Sequence, residues 1–140
     1  MRARLYGALA AAEDQGGPVD NAVAMGYCFG GTAVLELARS GADLKGFAPF
    51  HGAFDLPEGQ DYSQTHGPII VFHGTADQYV SIDSFAKLAK TLEAAGVKHE
   101  LITYSGAPHA FTVFGSDRYR KDADEKSWRR FTQFLEDVLR

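Results

Sequence analysis

A single cysteine lies among glycines directly after a short apolar run. Residues Ala22–Tyr27 are apolar enough for a buried strand, Cys28 follows, and Gly30 begins a small-residue stretch typical of a helix. This strand, turn and helix pattern is a nucleophile elbow with cysteine in place of serine. We expect Gly26 and Gly30 to allow the close backbone approach that raises the sulfur above the sheet. A buried structural cysteine beside a glycine-rich turn is the alternative.

The elbow would place Cys28 at the N-terminus of a helix. The positive end of the helix dipole favours a thiolate there, so a lowered pKa is expected for the thiol. The backbone N–H of Phe29 would be free to donate to a developing oxyanion. A cysteine nucleophile also needs a base and a group that orients the base.

His109 is the best-placed of the five histidines to act as that base. It follows the last predicted strand in the loop Ser105–Phe111, and the carboxyl ends of parallel strands meet at one edge of a sheet. His73 also ends a predicted strand and is the alternative base, although its position before Gly74 is more typical of a residue that shapes a turn. His66 and His99 lie in polar surroundings, and no chemistry is assigned to them.

Asp77 is the carboxylate best placed to orient the base. It comes four residues after a strand in the segment His73–Asp77, on a loop short enough to reach the same edge. Tyr27 and His51 are candidates to line the pocket, although a structural role is the favoured interpretation of His51, which follows another strand. Other carboxylates fit loops, helix caps or the surface better: Asp43, Asp55, Asp61 and Asp83.

The elements that must position these residues alternate along the chain. Strands separated by helices predict an α/β fold, with about four parallel strands and helices on both faces, in one domain spanning residues 1–140. The predicted helices are Arg2–Asp14, Gly30–Arg39, Ser81–Ala95 and Asp122–Leu139. The predicted strands are Ala22–Tyr27, Lys45–Phe50, Pro68–Phe72 and Val97–Tyr104.

Composition narrows the function classes. The net charge is −4, and the basic residues are scattered, which argues against a nucleic-acid or anionic-membrane partner. One cysteine excludes a cysteine-based zinc cluster, so we expect no metal and no cofactor. A lone thiol is typical of a reducing compartment, and a cytoplasmic location is expected. Residues 5–12 loosely resemble a signal peptide, but Tyr6 and Gly7 interrupt a stretch that is already short.

Several segments together resemble the dienelactone hydrolase (carboxymethylenebutenolidase) family of α/β-hydrolases. They are Gly26–Gly31, Leu35–Gly41, Phe50–Gly52, the Asp77 loop and Ser105–Phe111. The resemblance implies a partial α/β-hydrolase fold and a triad of Cys28, Asp77 and His109. It also implies hydrolysis of small esters or lactones through a thioester intermediate. The cysteine elbow separates this family from serine esterases.

The resemblance extends only to the carboxyl-terminal part of that family. The first half of the family's sheet has no counterpart, nor do the loop that supplies a second oxyanion donor, the acidic residue that pairs with the resting thiol and one carboxylate-binding arginine. A second such arginine lies four residues after the family histidine, where this sequence has Val113. We therefore expect carboxylate-bearing lactones to be poorer substrates than neutral esters. The uncharged strand Ala22–Tyr27 would form a bare sheet edge, which predicts a homodimer.

Three alternatives stay open on the sequence alone. The chain could be a catalytically silent hydrolase half that acts in assembly, or a fragment of a longer dienelactone hydrolase. Glutamine amidotransferase-like hydrolases also carry a cysteine elbow, but they place a glutamate two residues after a late histidine. Here Phe111 occupies that position after His109.

Overall fold

A computed structural model describes residues 1–139, so Arg140, which the predicted domain includes, lies outside the described residues. Helices and strands occur in the predicted order, and their bounds differ from the predicted ones by no more than two residues. The helices are α1 (Arg2–Asp14), α2 (Phe29–Arg39), α3 (Ile82–Ala94) and α4 (Lys121–Val138). The strands are β1 (Val23–Tyr27), β2 (Gly46–Phe50), β3 (Ile69–Gly74) and β4 (His99–Tyr104), and a 3-10 turn at Val19–Asn21 precedes β1.

The four strands form one parallel sheet in the order β1-β2-β3-β4. The predicted α/β fold with four parallel strands is therefore confirmed. Tyr27 at the end of β1 pairs with Phe50 at the end of β2, and Phe50 pairs in turn with Phe72 in β3. The loops that follow β1, β2, β3 and β4 consequently leave the sheet at one edge, where the candidate site lies.

Helices cover both faces of the sheet, as predicted. Apolar residues of α2 and α3 pack on one face together with Phe47, Ile69 and Val71, and Leu5 and Leu9 of α1 contact the same cluster. Helix α4 covers the opposite face, where its buried residues contact apolar side chains from the inner strands. The α4 residues are Ala123, Phe131 and Phe134, and those of the strands are Ala48, Phe50, Ile70 and Phe72.

Apolar residues at helical spacing predict which side of α4 packs on the sheet, and this prediction is wrong at one position. The predicted stripe is Trp128, Phe131, Leu135, Val138 and Leu139. Trp128 was expected to face the core, but 51% of its surface is exposed, while Phe134 is buried against the sheet. Phe134 also fills the space beside Gly46 that a Cβ there would occupy. The helix is thus rotated relative to the predicted stripe, because the sheet accepts Phe134 where β2 has no side chain.

Two features fix the ends of α3. The Ser81 hydroxyl accepts a hydrogen bond from the N–H of Ser84, which is the predicted N-cap. Gly96 follows the helix with a φ of 68°, a left-handed conformation that glycine adopts without steric cost. None of the helices within residues 1–139 is both long enough and apolar enough to cross a lipid bilayer.

Candidate active site

Cys28 lies on a strained turn between β1 and α2. Its φ of 52° is in the left-handed region that non-glycine residues rarely adopt. A Cβ at Gly26 would overlap the carbonyl group of Gly30, and a Cβ at Gly52 would lie 2.8 Å from the backbone of Gly31. Gly30 itself has open space, so the expectation that it must lack a side chain is wrong. The close approach needs glycine at 26, 31 and 52 instead.

Strand register explains what surrounds Cys28. Tyr27 pairs with Phe50 at the ends of β1 and β2. The residues that follow them in the sequence, Cys28 and His51, therefore lie side by side. The Cys28 N–H donates to the Phe50 carbonyl at 3.1 Å and to His51 Nδ1 at 3.2 Å. The distance from Cys28 Sγ to His51 Nδ1 is 3.4 Å. His51 Nδ1 therefore accepts, and its Nε2–H donates to Thr112 Oγ1 at 2.9 Å.

The structure brings His109 and Asp77, the predicted base and the predicted orienting carboxylate, into contact. His109 Nδ1 donates to Asp77 Oδ2 at 2.9 Å, and the N–H groups of Tyr79 and Val80 donate to Asp77 Oδ1. Burial acts to raise the pKa of Asp77, but the hydrogen bonds from Val80 and His109 outweigh it, so the pKa lies below its ordinary value. Asp77 is thus an ionised, fully buried carboxylate that can orient His109.

The sulfur of Cys28 faces both imidazoles. Cys28 Sγ, one nitrogen of His51 and one nitrogen of His109 all lie within 4.8 Å of one another. The rings of His51 and His109 meet edge to face, with centroids 5.4 Å apart. The carboxyl edge of the sheet therefore holds a thiol, an imidazole and the buried carboxylate that orients this imidazole. A nucleophile, its base and an orienting group would need this arrangement.

The pKa of the Cys28 thiol moves in the direction opposite to the sequence-based expectation. Burial raises it first, the negative charge of Asp77 raises it further, and only the guanidinium of Arg118 lowers it. The resting residue is therefore a thiol rather than a thiolate at neutral pH. A base would have to remove its proton for the sulfur to act as a nucleophile.

His73 lies on the far side of Asp77. It is fully buried, and its Nε2–H donates to the Val80 carbonyl. Its Nδ1 has no hydrogen-bond partner among residues 1–139 and lies 3.9 Å from Asp77 Oδ2. Its ring stacks on Phe85 at 5.3 Å and does not join the group of side chains around Cys28. Burial lowers the pKa of His73, so it faces Asp77 as a neutral imidazole.

Exposed aromatic side chains surround the elbow. Phe29 begins α2, so its N–H belongs to the first turn, whose N–H groups have no partner within the helix. Its ring is 71% exposed, and the Tyr27 ring is partly exposed and lies against Phe50 and His51. Of the predicted pocket residues, Phe29 and Tyr27 therefore face solvent, whereas His51 lies fully buried beside Cys28.

Sequence reasoning missed two residues beside the site. Tyr79 meets the His109 ring edge to face at 5.3 Å, and Arg118 lies over the Tyr79 ring and donates to its hydroxyl. Arg118 is close enough to Cys28 to affect the thiol pKa. A cation is thus present near the site despite Val113. No sequence spacing linked Arg118 to Cys28, because a long irregular loop carries it there.

Comparison with known proteins agrees with the family resemblance seen in the sequence. Residues 2–139 match the model of the dienelactone hydrolase family. A candidate carboxymethylenebutenolidase from Saccharolobus solfataricus is 31% identical over 126 residues, which are 86% of this chain and 46% of the relative. A probable 2-oxo-3-(5-oxofuran-2-ylidene)propanoate lactonase from Bradyrhizobium sp is 28% identical over 120 residues, covering 79% of this chain and 48% of the relative.

Solved structures share the fold. The crystal structure of a candidate dienelactone hydrolase from Klebsiella pneumoniae superposes with a TM-score of 0.86 at 20% identity, covering 95% of this chain and 59% of that one. The chain spans about half the length of the curated relatives described above.

Proposed function

Because the chain belongs to the dienelactone hydrolase family, we propose that it hydrolyses small esters or lactones through a thioester on Cys28. The observation that carries the proposal is the set of contacts at the carboxyl edge of the sheet. Asp77 accepts the Nδ1–H of His109 at 2.9 Å, and a nitrogen of His109 lies within 4.8 Å of the Cys28 sulfur. These are the three roles of a nucleophile, a base and an orienting carboxylate.

The reaction would proceed in two halves. His109 takes the Cys28 thiol proton, the sulfur attacks the substrate carbonyl carbon, and the N–H of Phe29 donates to the oxyanion. The carbon–oxygen bond to the alcohol then breaks, and His109 returns the proton to the leaving alkoxide. In the second half His109 deprotonates a water molecule, which attacks the thioester, releases the acid and restores the thiol.

Three histidines surround this chemistry, and His109 is the best base. His51 Nδ1 lies 3.4 Å from the sulfur, but burial and the nearby His109 lower the pKa of His51 from the ordinary 6.5 to about 4, which makes it a weak base. His73 lies behind Asp77 and is fully buried. His51 fits a different role, because its Nδ1 can accept the proton of the resting thiol at 3.4 Å.

Stabilisation of the oxyanion is the weakest feature of the proposed site. The N–H of Phe29 supplies one donor, and loss of one donor from such a site typically costs about 10²–10³ in rate. We therefore expect slow turnover unless a second chain supplies another donor.

The substrate class rests on the relatives and on the charges near Cys28. The names of the two relatives describe a lactonase and a carboxymethylenebutenolidase, which supports an ester or lactone carbonyl as the target. The expected preference for neutral esters depended on Val113 offering no cation. Arg118 removes that reason, because its guanidinium lies near enough to lower the pKa of Cys28. Both substrate types therefore belong in one assay.

Hydrolysis of an activated short-chain aryl ester tests the function. We expect a burst of alcohol release followed by slower turnover, and loss of both in Cys28→Ala and of turnover in His109→Ala. His66→Ala is the matched control, because His66 is exposed and lies outside the site. Undiminished turnover in Cys28→Ala would overturn the thioester mechanism, and its absence in the wild-type chain would favour the silent alternative.

We also propose that two copies of the chain pair through β1. This strand is an edge of the sheet and pairs only with β2 within residues 1–139, and its sequence contains no charge or proline that would block pairing. Identical strands related by a two-fold axis pair antiparallel, which would produce a continuous eight-stranded sheet. Tyr27 ends β1, and its exposed ring would be partly covered by the second copy.

Light scattering coupled to size-exclusion chromatography tests this pairing. We expect a mass of twice 15.2 kDa for the wild-type chain. The Ala22 carbonyl and the Cys28 N–H both bond toward β2, so the alternate position Met25 presents its N–H to the open side of β1. Replacing Met25 with proline would remove that donor, and replacing Ala86 on the exposed side of α3 with lysine is a control. A folded monomer at micromolar concentration would contradict the pairing. A monomeric enzyme with normal burst kinetics would leave the thioester mechanism standing.

A further inference from the structure

The side chains around Cys28 also form a set of metal ligands. One sulfur atom and two imidazole nitrogens, from Cys28, His51 and His109, lie within 4.8 Å of one another. Zinc bonds to sulfur and nitrogen of about 2.3 and 2.0 Å at a tetrahedral angle place the two ligand atoms about 3.5 Å apart. The observed distance from Cys28 Sγ to His51 Nδ1 is 3.4 Å, so this pair already has the required spacing.

Both imidazoles are held from behind in the way that metal-binding histidines are. Ligating histidines almost always donate their second ring N–H to a carboxylate or another oxygen. His109 Nδ1 donates to Asp77 Oδ2 at 2.9 Å, which leaves Nε2 as its remaining nitrogen. His51 Nε2 donates to Thr112 Oγ1 at 2.9 Å, which leaves Nδ1 facing the cysteine. Each ring thus has one nitrogen anchored and one available.

An ion can bind here at the loss of few hydrogen bonds. His51 Nδ1 accepts the Cys28 N–H, but that N–H also donates to the Phe50 carbonyl at 3.1 Å and keeps this bond when a cation takes the nitrogen. The hydrogen bond from His51 Nε2–H to Thr112 Oγ1 leaves Nδ1 without a proton, which is the form that coordinates a cation. A bound cation also deprotonates a coordinating thiol, and the thiol proton passes to the buffer.

We propose that Cys28, His51 and His109 bind zinc or a similar thiophilic divalent cation, with the fourth coordination position open to solvent. A thiolate and two imidazoles suit zinc and cobalt(II) and disfavour magnesium and calcium, which require oxygen ligands. The bound ion occupies the sulfur and the base nitrogen together, so it inhibits thioester formation. Inhibition rests on the proposed function, whereas metal binding does not.

Cobalt(II) absorption spectroscopy on the untagged 140-residue chain tests the site. We expect one cobalt ion per chain, with a thiolate charge-transfer band and the intense visible bands of a four-coordinate ion, and we expect zinc to remove both. Cys28→Ser should lose the charge-transfer band. His109→Ala should lose stoichiometric binding, and His66→Ala, an exposed residue, should behave like the wild-type chain.

Thr112→Val is the sharpest variant, because it keeps all three ligands and the side-chain shape. Losing such a supporting partner typically weakens metal affinity by about 10–100-fold, and we expect a change of that size. If Thr112→Val fails to fold, His109→Ala decides, since that ring is partly exposed.

Two results would overturn the proposal. The first is a wild-type chain without a thiolate charge-transfer band, and the second is equal cobalt affinity in the wild-type chain and in His109→Ala. A chain that binds cobalt as described but hydrolyses no ester would retain the site and contradict only the proposed function. A chain that hydrolyses esters but gives no band would do the reverse.

Discussion

Acid should destabilise this protein through His51. The residue is fully buried, and burial together with the nearby His109 lowers its pKa from 6.5 to about 4. The unfolded chain therefore binds a proton at His51 between these values, and the folded chain does not. The contribution of His51 to the free energy of unfolding is fully present above pH 6.5 and is lost as the pH falls towards 4. Lowering the pH from 7 to 5 should cost about 2 kcal/mol from His51 alone.

The pH window isolates the buried histidines from the acidic residues. The lowered pKa values of Asp77 and Glu36 act with the same sign, but mainly below their ordinary values of 3.8 and 4.5. His73 also has a lowered pKa and adds to the loss. Between pH 7 and 5 the free energy of unfolding should therefore fall by at least about 2 kcal/mol, a large fraction of the 5–15 kcal/mol typical of a domain.

Urea unfolding of the wild-type chain and of His51→Asn at pH 7 and 5 measures this loss. Asparagine tolerates the φ of 37° at position 51 better than most residues do. We expect the pH-dependent loss to be smaller in the variant by about 2 kcal/mol, whatever its absolute stability. Equal losses in the two proteins, or an NMR titration of His51 with a midpoint near 6.5, would refute the reasoning.

Three further predictions follow from the elbow and its surroundings. Gly26→Ala should destabilise the fold by about 1–3 kcal/mol in urea unfolding, because its methyl group would overlap the carbonyl of Gly30. Gly30→Ala, which has open space within α2, should be neutral or stabilising by up to about 1 kcal/mol, and similar losses in both variants would contradict this account. Alkylation of Cys28 by iodoacetamide should show a pH midpoint above that of the same cysteine in the urea-unfolded chain, and a lower midpoint would reverse the sign of the pKa shift. Asp77→Asn should move that midpoint down, while Arg118→Gln should move it up.

Much of the fold could be predicted from the sequence. Apolar runs of strand length alternate with amphipathic or small-residue helices, and the glycines and Ser81 mark where helices end or begin, so the element bounds are accurate within two residues. The orientation of α4 could not be predicted, because it depends on the empty space at Gly46 that admits Phe134. The space lies beside a residue of β2, so the periodicity of α4 itself does not indicate it.

The sequence indicated which candidate residues would lie near one another, but it did not indicate their electrostatics. Positions directly after strand ends identified Cys28 and His109, and a short loop after a strand identified Asp77. The contact between Cys28 and His51 needed the strand register, since only the pairing of β1 with β2 places these positions side by side. The raised pKa of Cys28 could not be predicted from the sequence. It depends on the burial of the thiol and on its distance from Asp77, and both follow from how the loops pack.

The identity of the nucleophile is the central claim, and mass spectrometry of the acyl-enzyme tests it most directly. The wild-type chain is mixed with an activated short-chain aryl ester, quenched in acid within the burst and measured intact, then digested to locate the adduct. We predict one acyl group per chain, attached to the Cys28 sulfur and absent from Cys28→Ala. An acyl group on any other residue, or burst kinetics that persist in Cys28→Ala, would contradict the account.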